Sequence, residues 1–181
     1  MSGNQNEFRK IYDQYKVLVY NVALNYLQNK EDAEEITQDV FVQVHHSIAQ
    51  FNKNSELKTW IYRITINKCL DFIKRKSSKK RLFIFGKKTD KDFELQNISN
   101  FEHPGILLEN KEKAELLYGV INELSENQKA AFILSKMDGL SNPEISVILE
   151  VSISSVESLI FRAKSSLKEK LSKKFEVYRK K

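Results

Sequence analysis

The scarcity of glycine and proline constrains the fold of this chain more than any other feature of its sequence. The chain has 5 Gly and 2 Pro in 181 residues, and these residue types supply most tight turns. A protein built from many short strands needs many such turns, so the composition argues against a mostly β structure. Apolar residues still make up 41% of the chain, which is enough to build a core. We therefore expect an all-α fold with few breaks between helices.

Apolar residues recur at helical spacing in three segments of the N-terminal part, at residues 8–26, 33–48 and 57–73. Four acidic residues between positions 31 and 35 open the second segment, where the helix dipole favours negative charge. Ser55 is placed to cap the third helix. The pattern predicts three helices in the N-terminal part.

The C-terminal part shows helical spacing again, interrupted by signals for helix starts and ends. Pro104 suits the first turn of a helix, and Ser125 and Ser141 each begin a sequence in capping-box form. Gly139 lies where a C-terminal cap is expected. Residues 141–171 then have the form of a helix-turn-helix, in which the second helix enters the major groove of DNA. A purely structural two-helix corner is the alternative.

Residues 77–103 differ from the segments on either side. They begin with a polar, basic run, and residues 89–100 have no clear period. The apolar run at 82–85 has no partner strand, so we interpret it as a segment that docks elsewhere. The predicted organisation is a domain over 1–76, a flexible linker over 77–103 and a second domain over 104–181.

The net charge of +6 is distributed unevenly. Residues 58–88 carry 11 basic residues and one acidic residue, and residues 162–181 carry nine basic and two acidic residues. The rest of the chain is therefore acidic. Two basic segments, the first interleaved with Trp60, Tyr62 and Phe72, indicate two contacts with a nucleic acid. A solvated, lysine-rich helix face is the alternative for either segment alone.

Several classes of protein are excluded by what the sequence lacks. The single cysteine, Cys69, rules out an internal disulfide framework and a cysteine-rich zinc site. No apolar stretch is long enough to span a membrane, and the N-terminus has no secretory pattern, so we expect a cytoplasmic protein without membrane insertion. His45 and His46 are adjacent and are predicted to point to different helix faces. We find no catalytic constellation and expect no metal and no cofactor.

Three stretches, in order, resemble the extracytoplasmic-function (group IV) sigma factors of the sigma-70 family. The first is DAEEITQDVF at residues 32–41, which is similar to the polymerase-binding helix of that family. The second is Phe51 followed by KTWIYRITINKC at 58–69, which is similar to the helix that melts and reads the minus-ten promoter element. The third runs from LSENQ at 124–128 to VESLIFRAK at 156–164 and is similar to the domain that reads the minus-thirty-five element.

The resemblance implies that the N-terminal part is sigma domain 2 and the C-terminal part is sigma domain 4. It also implies that four residues on one polar face of the second helix bind the β′ clamp helices of core RNA polymerase. These residues are Asp32, Glu35, Gln38 and Asp39. An ordinary solvated face is the alternative. The resemblance further implies contacts with the polymerase β flap and with an anti-sigma protein, by which family members are commonly held inactive.

For the minus-ten element, the protein must hold a single strand and capture extruded bases, which requires cations together with aromatic or polar pockets. The family pattern implies that Asn67 and the loop before the third helix line the pocket for a flipped base. Trp60 is ambiguous, and its spacing favours a core position. The full predicted set is Phe51, Asn52, Lys53, Asn54, Lys58, Trp60, Arg63, Asn67, Lys68, Lys74 and Arg75.

For the minus-thirty-five element, the recognition helix is expected to begin near Ser154. Glu157 and Leu159 depart from the usual Lys and Arg of the family, and Glu150 replaces a frequent turn glycine; this variant is similar to one common among sigma factors of the Bacteroidota. Serine and glutamate can still contact base edges. The predicted residues are Ser152, Ser154, Ser155, Glu157, Ser158, Phe161, Arg162 and Lys164.

The sequence thus predicts an alternative sigma factor that binds core RNA polymerase, recognises a two-element promoter and assists its melting. A stand-alone helix-turn-helix regulator is the first alternative, but it leaves the N-terminal helices unexplained. A helical nucleic-acid-processing enzyme is the second, but it requires acid, base or metal residues that the sequence does not offer.

Overall fold

A computed structural model of the chain describes residues 2–51, 55–86 and 111–179, with side chains at 6–51, 55–76, 78 and 113–174. The described residues form seven α-helices and one 3-10 turn, and contain no strand. The all-α prediction is confirmed. The helices are α1 (Ser2–Leu27), α2 (Lys30–Ser47), α3 (Leu57–Gly86), α4 (Lys111–Asn122), α5 (Glu126–Lys136), α6 (Asn142–Leu149) and α7 (Ile153–Arg179), with the 3-10 turn at Ile48–Gln50.

The chain divides into two compact units, Met1–Thr89 and Asp90–Lys181. Each unit has its own apolar core, as expected for two small helical domains. Helix α3 continues to Gly86 and so includes residues 77–86, the first part of the predicted linker. Residues 87–103 of that linker, and Pro104, lie outside the described residues. The predicted domain boundaries stay a prediction.

In the first unit, α1, α2 and α3 pack against one another. Gln28, with φ +59°, ends α1, and the Asn29 side chain caps α2 by accepting a hydrogen bond of 2.7 Å from the Asp32 N–H. The buried side chains belong to all three helices. They include Ile11, Val19, Val22, Tyr26, Ala33, Ile36, Val40, Phe41, Val44, Ile61, Tyr62, Thr65, Ile66 and Cys69.

The third helix differs from its prediction in two respects. The first helical hydrogen bond joins the Trp60 N–H to the Glu56 carbonyl (3.1 Å), so Glu56 rather than Ser55 is at the N-cap position. Trp60, whose spacing favoured a core position, is only partly buried. Ile61, from the predicted apolar stripe, is fully buried, and Tyr62 next to it is buried as well. Because α3 packs on both α1 and α2, its buried surface extends to residues outside the stripe that simple spacing favoured.

The second unit is formed by α4 to α7, with α7 packed against α4, α5 and α6. Glu144 closes the predicted capping box, since its Oε2 accepts hydrogen bonds from the N–H (2.8 Å) and Oγ (2.6 Å) of Ser141. The capping box predicted at Ser125 is wrong: Ser125 is the N-cap of α5, but its side chain makes no capping hydrogen bond. Because Ser125 is exposed, water can satisfy the first N–H groups of that helix.

Candidate nucleic-acid and partner surfaces

Helix α2 has one buried stripe and one polar face. Ile36, Val40 and Val44 are fully buried, while Glu35 and Gln38 are exposed and Asp39 is partly exposed. Three of the four residues predicted to bind polymerase therefore share a solvent-accessible surface opposite the core stripe. An acidic surface of this kind suits a basic partner.

Asp32, the fourth predicted residue, is engaged within the unit. Its Oδ2 lies 2.7 Å from the Nζ of Lys76 on α3, and its side chain is only 20% exposed. The same ammonium group lies 5.4 Å from the centre of the Phe72 ring. Asp32 thus joins α2 to α3, a contact between residues 44 positions apart that spacing on one helix could not reveal.

An apolar groove next to Gln38 was missed by the sequence analysis. Tyr12 and Val42, which line it, are 40% and 57% exposed. Val42 is apolar and lies off the core stripe of α2, and this position was the sequence signal that could have indicated the groove. The groove is lined by Phe8, Tyr12, Gln38, Phe41, Val42, His45 and His46.

The two adjacent histidines were expected to point to different faces of α2, as consecutive helix residues do, and both rings reach the edge of the groove. Their ring centroids are 5.5 Å apart, and the His45 ring stacks edge-on against Phe8 at 5.0 Å. Through Phe8, His45 contacts α1 at one side of the groove. Among the residues with described side chains, no group of three or more His, Cys, Asp or Glu could hold a metal ion.

The predicted minus-ten residues form an aromatic and basic surface at the start of α3. Phe51 and Trp60 stack with ring centroids 5.1 Å apart and planes tilted by 40°. Lys58 lies over the Tyr62 ring at 5.9 Å. Asn52, Lys53 and Asn54 of the preceding loop lie outside the described residues. Trp60 is thus partly buried against Phe51 and leaves part of its side chain accessible.

Further along α3, the polar residues follow the same side of the helix. Trp60, Arg63 and Asn67 are three and four residues apart, so they are neighbours on one face. Asn67, Lys74 and Arg75 are exposed, while Arg63 and Lys68 are partly buried. The face combines an aromatic platform, an amide and several cations, which is the composition that single-stranded nucleic acid requires.

The turn between α6 and α7 has a left-handed residue at its centre. Glu150 has φ +56° and ψ +42°, and the following Val151 N–H donates to the Ser146 carbonyl at 3.1 Å. Ser152 then caps α7 by accepting a hydrogen bond of 3.2 Å from the Ser155 N–H. The helix begins at Ile153, one residue before the predicted start.

Helix α7 buries one side and exposes the other. Val156, Ile160 and Ala163 face the core of the second unit. Phe161 is 71% exposed, the largest exposed fraction among the large apolar side chains described. Of the predicted minus-thirty-five residues, only Ser155 is partly buried, and the exposed ones are Ser152, Ser154, Glu157, Ser158, Phe161, Arg162 and Lys164. Ile153, 46% exposed at the start of the same helix, was missed.

The lysines near the end of α7 are engaged within the second unit. Glu123, at the end of α4, accepts from Lys170 at 2.7 Å and from Lys174 at 2.9 Å. The hydrogen bond from Lys170, followed by that from Lys174, lowers the pKa of Glu123. Within the part of the chain that the structure describes, Arg162 and Lys164 have no ion-pair partner, which leaves them available for phosphates.

Comparison with known proteins matches both units to one family. Residues 11–79 match Sigma-70 region 2, and residues 114–167 match Sigma-70, region 4. The RNA polymerase sigma factor CnrH of Cupriavidus metallidurans is 27% identical over 92% of this chain and 87% of its own. The ECF RNA polymerase sigma-E factor of Escherichia coli is 27% identical over 93% of this chain and 88% of its own.

A solved structure shows the same fold. The sigma factor RpoE of Bartonella quintana, in complex with the anti-sigma factor NepR, superposes with a TM-score of 0.70 at 20% sequence identity. The match covers 92% of this chain and 97% of that one. The order of the two regions and the length of the matches define a sigma factor of RNA polymerase.

The chain belongs to the sigma-70 family, as an extracytoplasmic-function sigma factor. Sigma factors are transcription initiation factors that act with core RNA polymerase at promoters. None of the helices in the described ranges could span a membrane. The specific resemblance to Bacteroidota factors stays a prediction.

Proposed function

We propose that this chain is an alternative sigma factor that binds core RNA polymerase through the polar face of α2, captures the minus-ten strand with α3 and reads the minus-thirty-five element with α7. The observation that carries the proposal is the presence, in one chain, of regions 2 and 4 with three separate exposed polar surfaces. Each surface has the chemistry of a different proposed contact, namely polymerase, a single DNA strand and the major groove of duplex DNA.

The polymerase contact is assigned to Glu35, Gln38 and Asp39. Their position opposite the buried stripe leaves the carboxylates free to approach a basic coiled coil such as the β′ clamp helices, and opposite charges speed such an encounter. Asp32 acts mainly by holding α2 against α3 through Lys76. A contact between the second unit and the β flap completes the proposed interface with polymerase.

Promoter melting is assigned to the start of α3. Trp60 on Phe51 offers a stacking surface, and Asn67 offers both a donor and an acceptor to an extruded base. The exposed cations Lys74 and Arg75 hold the phosphates of the same strand. Together these groups favour the open strand by binding energy, so no catalytic group is needed.

Recognition of the minus-thirty-five element is assigned to the exposed side of α7. Its first two turns face the base edges in the major groove, as in other helix-turn-helix proteins. Arg162 and Lys164 then bind phosphates and set the position of the helix. The catalysis of RNA synthesis belongs to the polymerase, and we propose that this chain is no enzyme and acts in the cytoplasm, where its polymerase and promoter are.

We also propose an anti-sigma protein as a partner, because a factor of the same fold is known in complex with one. The alternative function, a stand-alone helix-turn-helix regulator, accounts for α6 and α7 only. It gives no role to the polar face of α2 or to the aromatic surface of α3.

The deciding experiment is copurification with core RNA polymerase, followed by run-off transcription on genomic DNA. Combined replacement Gln38→Ala and Asp39→Arg is expected to abolish copurification because it removes the amide and reverses the charge at the centre of the α2 face. The matched control is Gln14→Ala with Asp13→Arg, the same changes at exposed positions of α1, which should retain polymerase. If the α2 variant still copurifies with polymerase, the assignment of the contact to this face is wrong. If the unmodified protein does not copurify with polymerase and footprints DNA alone, the proposed sigma function is wrong.

A further inference from the structure

The first turns of α7 present an unusual row of side chains. Ile153, Glu157 and Phe161 are spaced by four residues, so they lie one above the other on the helix surface. All three are exposed, with Ile153 at 46% and Phe161 at 71%. The buried Val156 and Ile160 lie on the adjoining side of the helix, since each is three residues from a member of the row. The row therefore borders the buried stripe but stays accessible to solvent, as the proposed contact with DNA requires.

Glu157 is the only charged side chain among residues 152–161. Its neighbours in the row are both apolar, and no ion pair to it exists among the residues that the structure describes. The first cation of the helix, Arg162, comes five residues later. The base-facing part of α7 consequently lacks the arginine or lysine that most often contacts guanine.

Most serines near Glu157 are already engaged with one another. The Ser152 Oγ lies 3.0 Å from the Ser154 Oγ and 2.8 Å from the Ser155 Oγ, and it also caps the helix. Glu157 and Ser158 are left as the polar side chains best placed to contact base edges. Of these two, only Glu157 has a fixed hydrogen-bonding character, because an ionised carboxylate accepts and cannot donate.

A carboxylate discriminates sharply among bases in the major groove. Guanine presents two acceptors, N7 and O6, and thymine presents O4, so all three repel it. Adenine places the acceptor N7 beside its N6 donor, whereas cytosine presents the N4 donor alone. A carboxylate that is desolvated against a base without a donor is also left unpaired, at a cost in free energy.

We propose that Glu157 selects a cytosine in the minus-thirty-five element by accepting a hydrogen bond from its N4 amino group. The inference rests on the proposed function of α7 and names one base that this helix reads. Ile153 and Phe161 exclude water on either side of the carboxylate, which increases the penalty for a base that offers no donor.

The test uses the full-length protein with core polymerase and a linear promoter library in which the minus-thirty-five region is randomised. Sequencing of the transcribed templates gives the base preference at each position. For the unmodified chain, we expect one position at which cytosine is preferred by about tenfold or more, a typical value for one good base contact.

Two substitutions should change the preferred base at that same position. Glu157→Gln can pair with adenine N6 and N7, and Glu157→Arg can pair with guanine O6 and N7, so the preference should move to adenine and guanine respectively. Glu169→Gln, at an exposed position further along the same helix, is the matched control and should keep cytosine.

Absence of a cytosine preference in the unmodified chain, or the same preference in both Glu157 variants, would overturn the inference. Because Glu157→Gln is nearly isosteric and exposed, it decides the question even if Glu157→Arg binds DNA poorly. If the unmodified chain starts no transcript from any template, the proposed function fails as well. If both Glu157 variants start transcripts with the same base preferences as the unmodified chain, only the role of Glu157 is refuted.

Discussion

Glu150 adopts a backbone conformation that glycine adopts at lower cost. Its φ of +56° and ψ of +42° place it in the left-handed region, which costs a residue with a Cβ roughly 1–2 kcal/mol. Gly139, with φ +69°, satisfies the same requirement after α5 without that cost. The turn of the helix-turn-helix therefore carries strain that the turn before α6 does not.

Replacing Glu150 by glycine is expected to raise the free energy of unfolding of the second unit by up to about 1 kcal/mol. The relief of left-handed strain outweighs the greater flexibility of glycine in the unfolded chain. Chemical denaturation followed by circular dichroism measures the change. In the control, Gly139→Ala, a Cβ would meet no atom within 4 Å, so the expected loss of about 1 kcal/mol is purely conformational. A clear loss of stability in Glu150→Gly would contradict the strain argument.

Asn67 is the exposed amide on the proposed strand-capturing face. Replacement by alanine should impair promoter opening, measured by permanganate reactivity of unpaired thymines, while copurification with polymerase stays close to normal. The physical reason is that the amide contacts an extruded base and not the protein partner. Asp71→Asn, also exposed on α3, is the control. Equal loss of opening and of polymerase binding would count against the base-contacting role.

Sequence reasoning identified candidate side chains but could not tell which are engaged within the fold. Asp32 has the same chemistry as Glu35 and Asp39, yet it is bonded to Lys76 on another helix. The packing of Trp60 on Phe51 likewise depends on the path of the loop before α3. Contacts of this kind require the three-dimensional arrangement of distant segments, which the spacing along one helix does not contain.

The far half of α7 is held against the second unit by charge. Glu123, at the end of α4, bonds both Lys170 and Lys174, which lie one turn apart on α7. Glu169 and Lys173 form a separate pair within α7 itself. The Glu123 contacts are tertiary and can fix the helix against the unit, whereas the Glu169–Lys173 pair supports only local helicity.

Glu123→Gln should speed amide hydrogen exchange in residues 168–174, whereas the control Glu169→Gln should have a smaller effect there. Glu123 is 44% exposed in its side chain, so we expect a contribution of only about 0.5 kcal/mol. Because its pKa is lowered in the folded state, the contribution is present above the ordinary value of 4.5 and is lost as the pH falls through the folded pKa.

The effect of Glu123→Gln should therefore be largest near pH 7 and should shrink as the pH falls from 4.5 through the lowered folded pKa, where the carboxylate of the unmodified chain also becomes neutral. Raising the salt concentration should reduce it as well. If Glu123→Gln changed hydrogen exchange equally at pH 3 and pH 7, the hydrogen bonds of the side chain would matter more than its charge.

Across the full chain, the division into two units has a direct consequence for stability. Ile36 is fully buried in the first unit and Ile145 in the second. Truncation of either to alanine should cost about 2–5 kcal/mol in its own unit. Hydrogen exchange measured by mass spectrometry should therefore accelerate in α1–α3 for Ile36→Ala and in α4–α7 for Ile145→Ala. Acceleration of all seven helices by either change would show that the units unfold together.

The formal charge of +6 says little about this protein, because it averages surfaces with different partners. The polar face of α2 is acidic, the exposed side of α3 is basic, and α7 carries a carboxylate among its base-facing residues and cations further along. The composition of each segment was readable from the sequence. Its assignment to a separate exposed surface required the burial pattern of each helix.

The all-α class, the division into two helical regions and the family were determined by the sequence alone, because helical periodicity, few turn residues and short motifs are local properties. The tertiary structure decided which row of α3 is buried, which carboxylate of α2 is engaged and which side chains of α7 remain exposed. Those outcomes depend on which helices pack together and on the paths of the turns between them. They are set by contacts between residues far apart in the chain, and no local pattern records them.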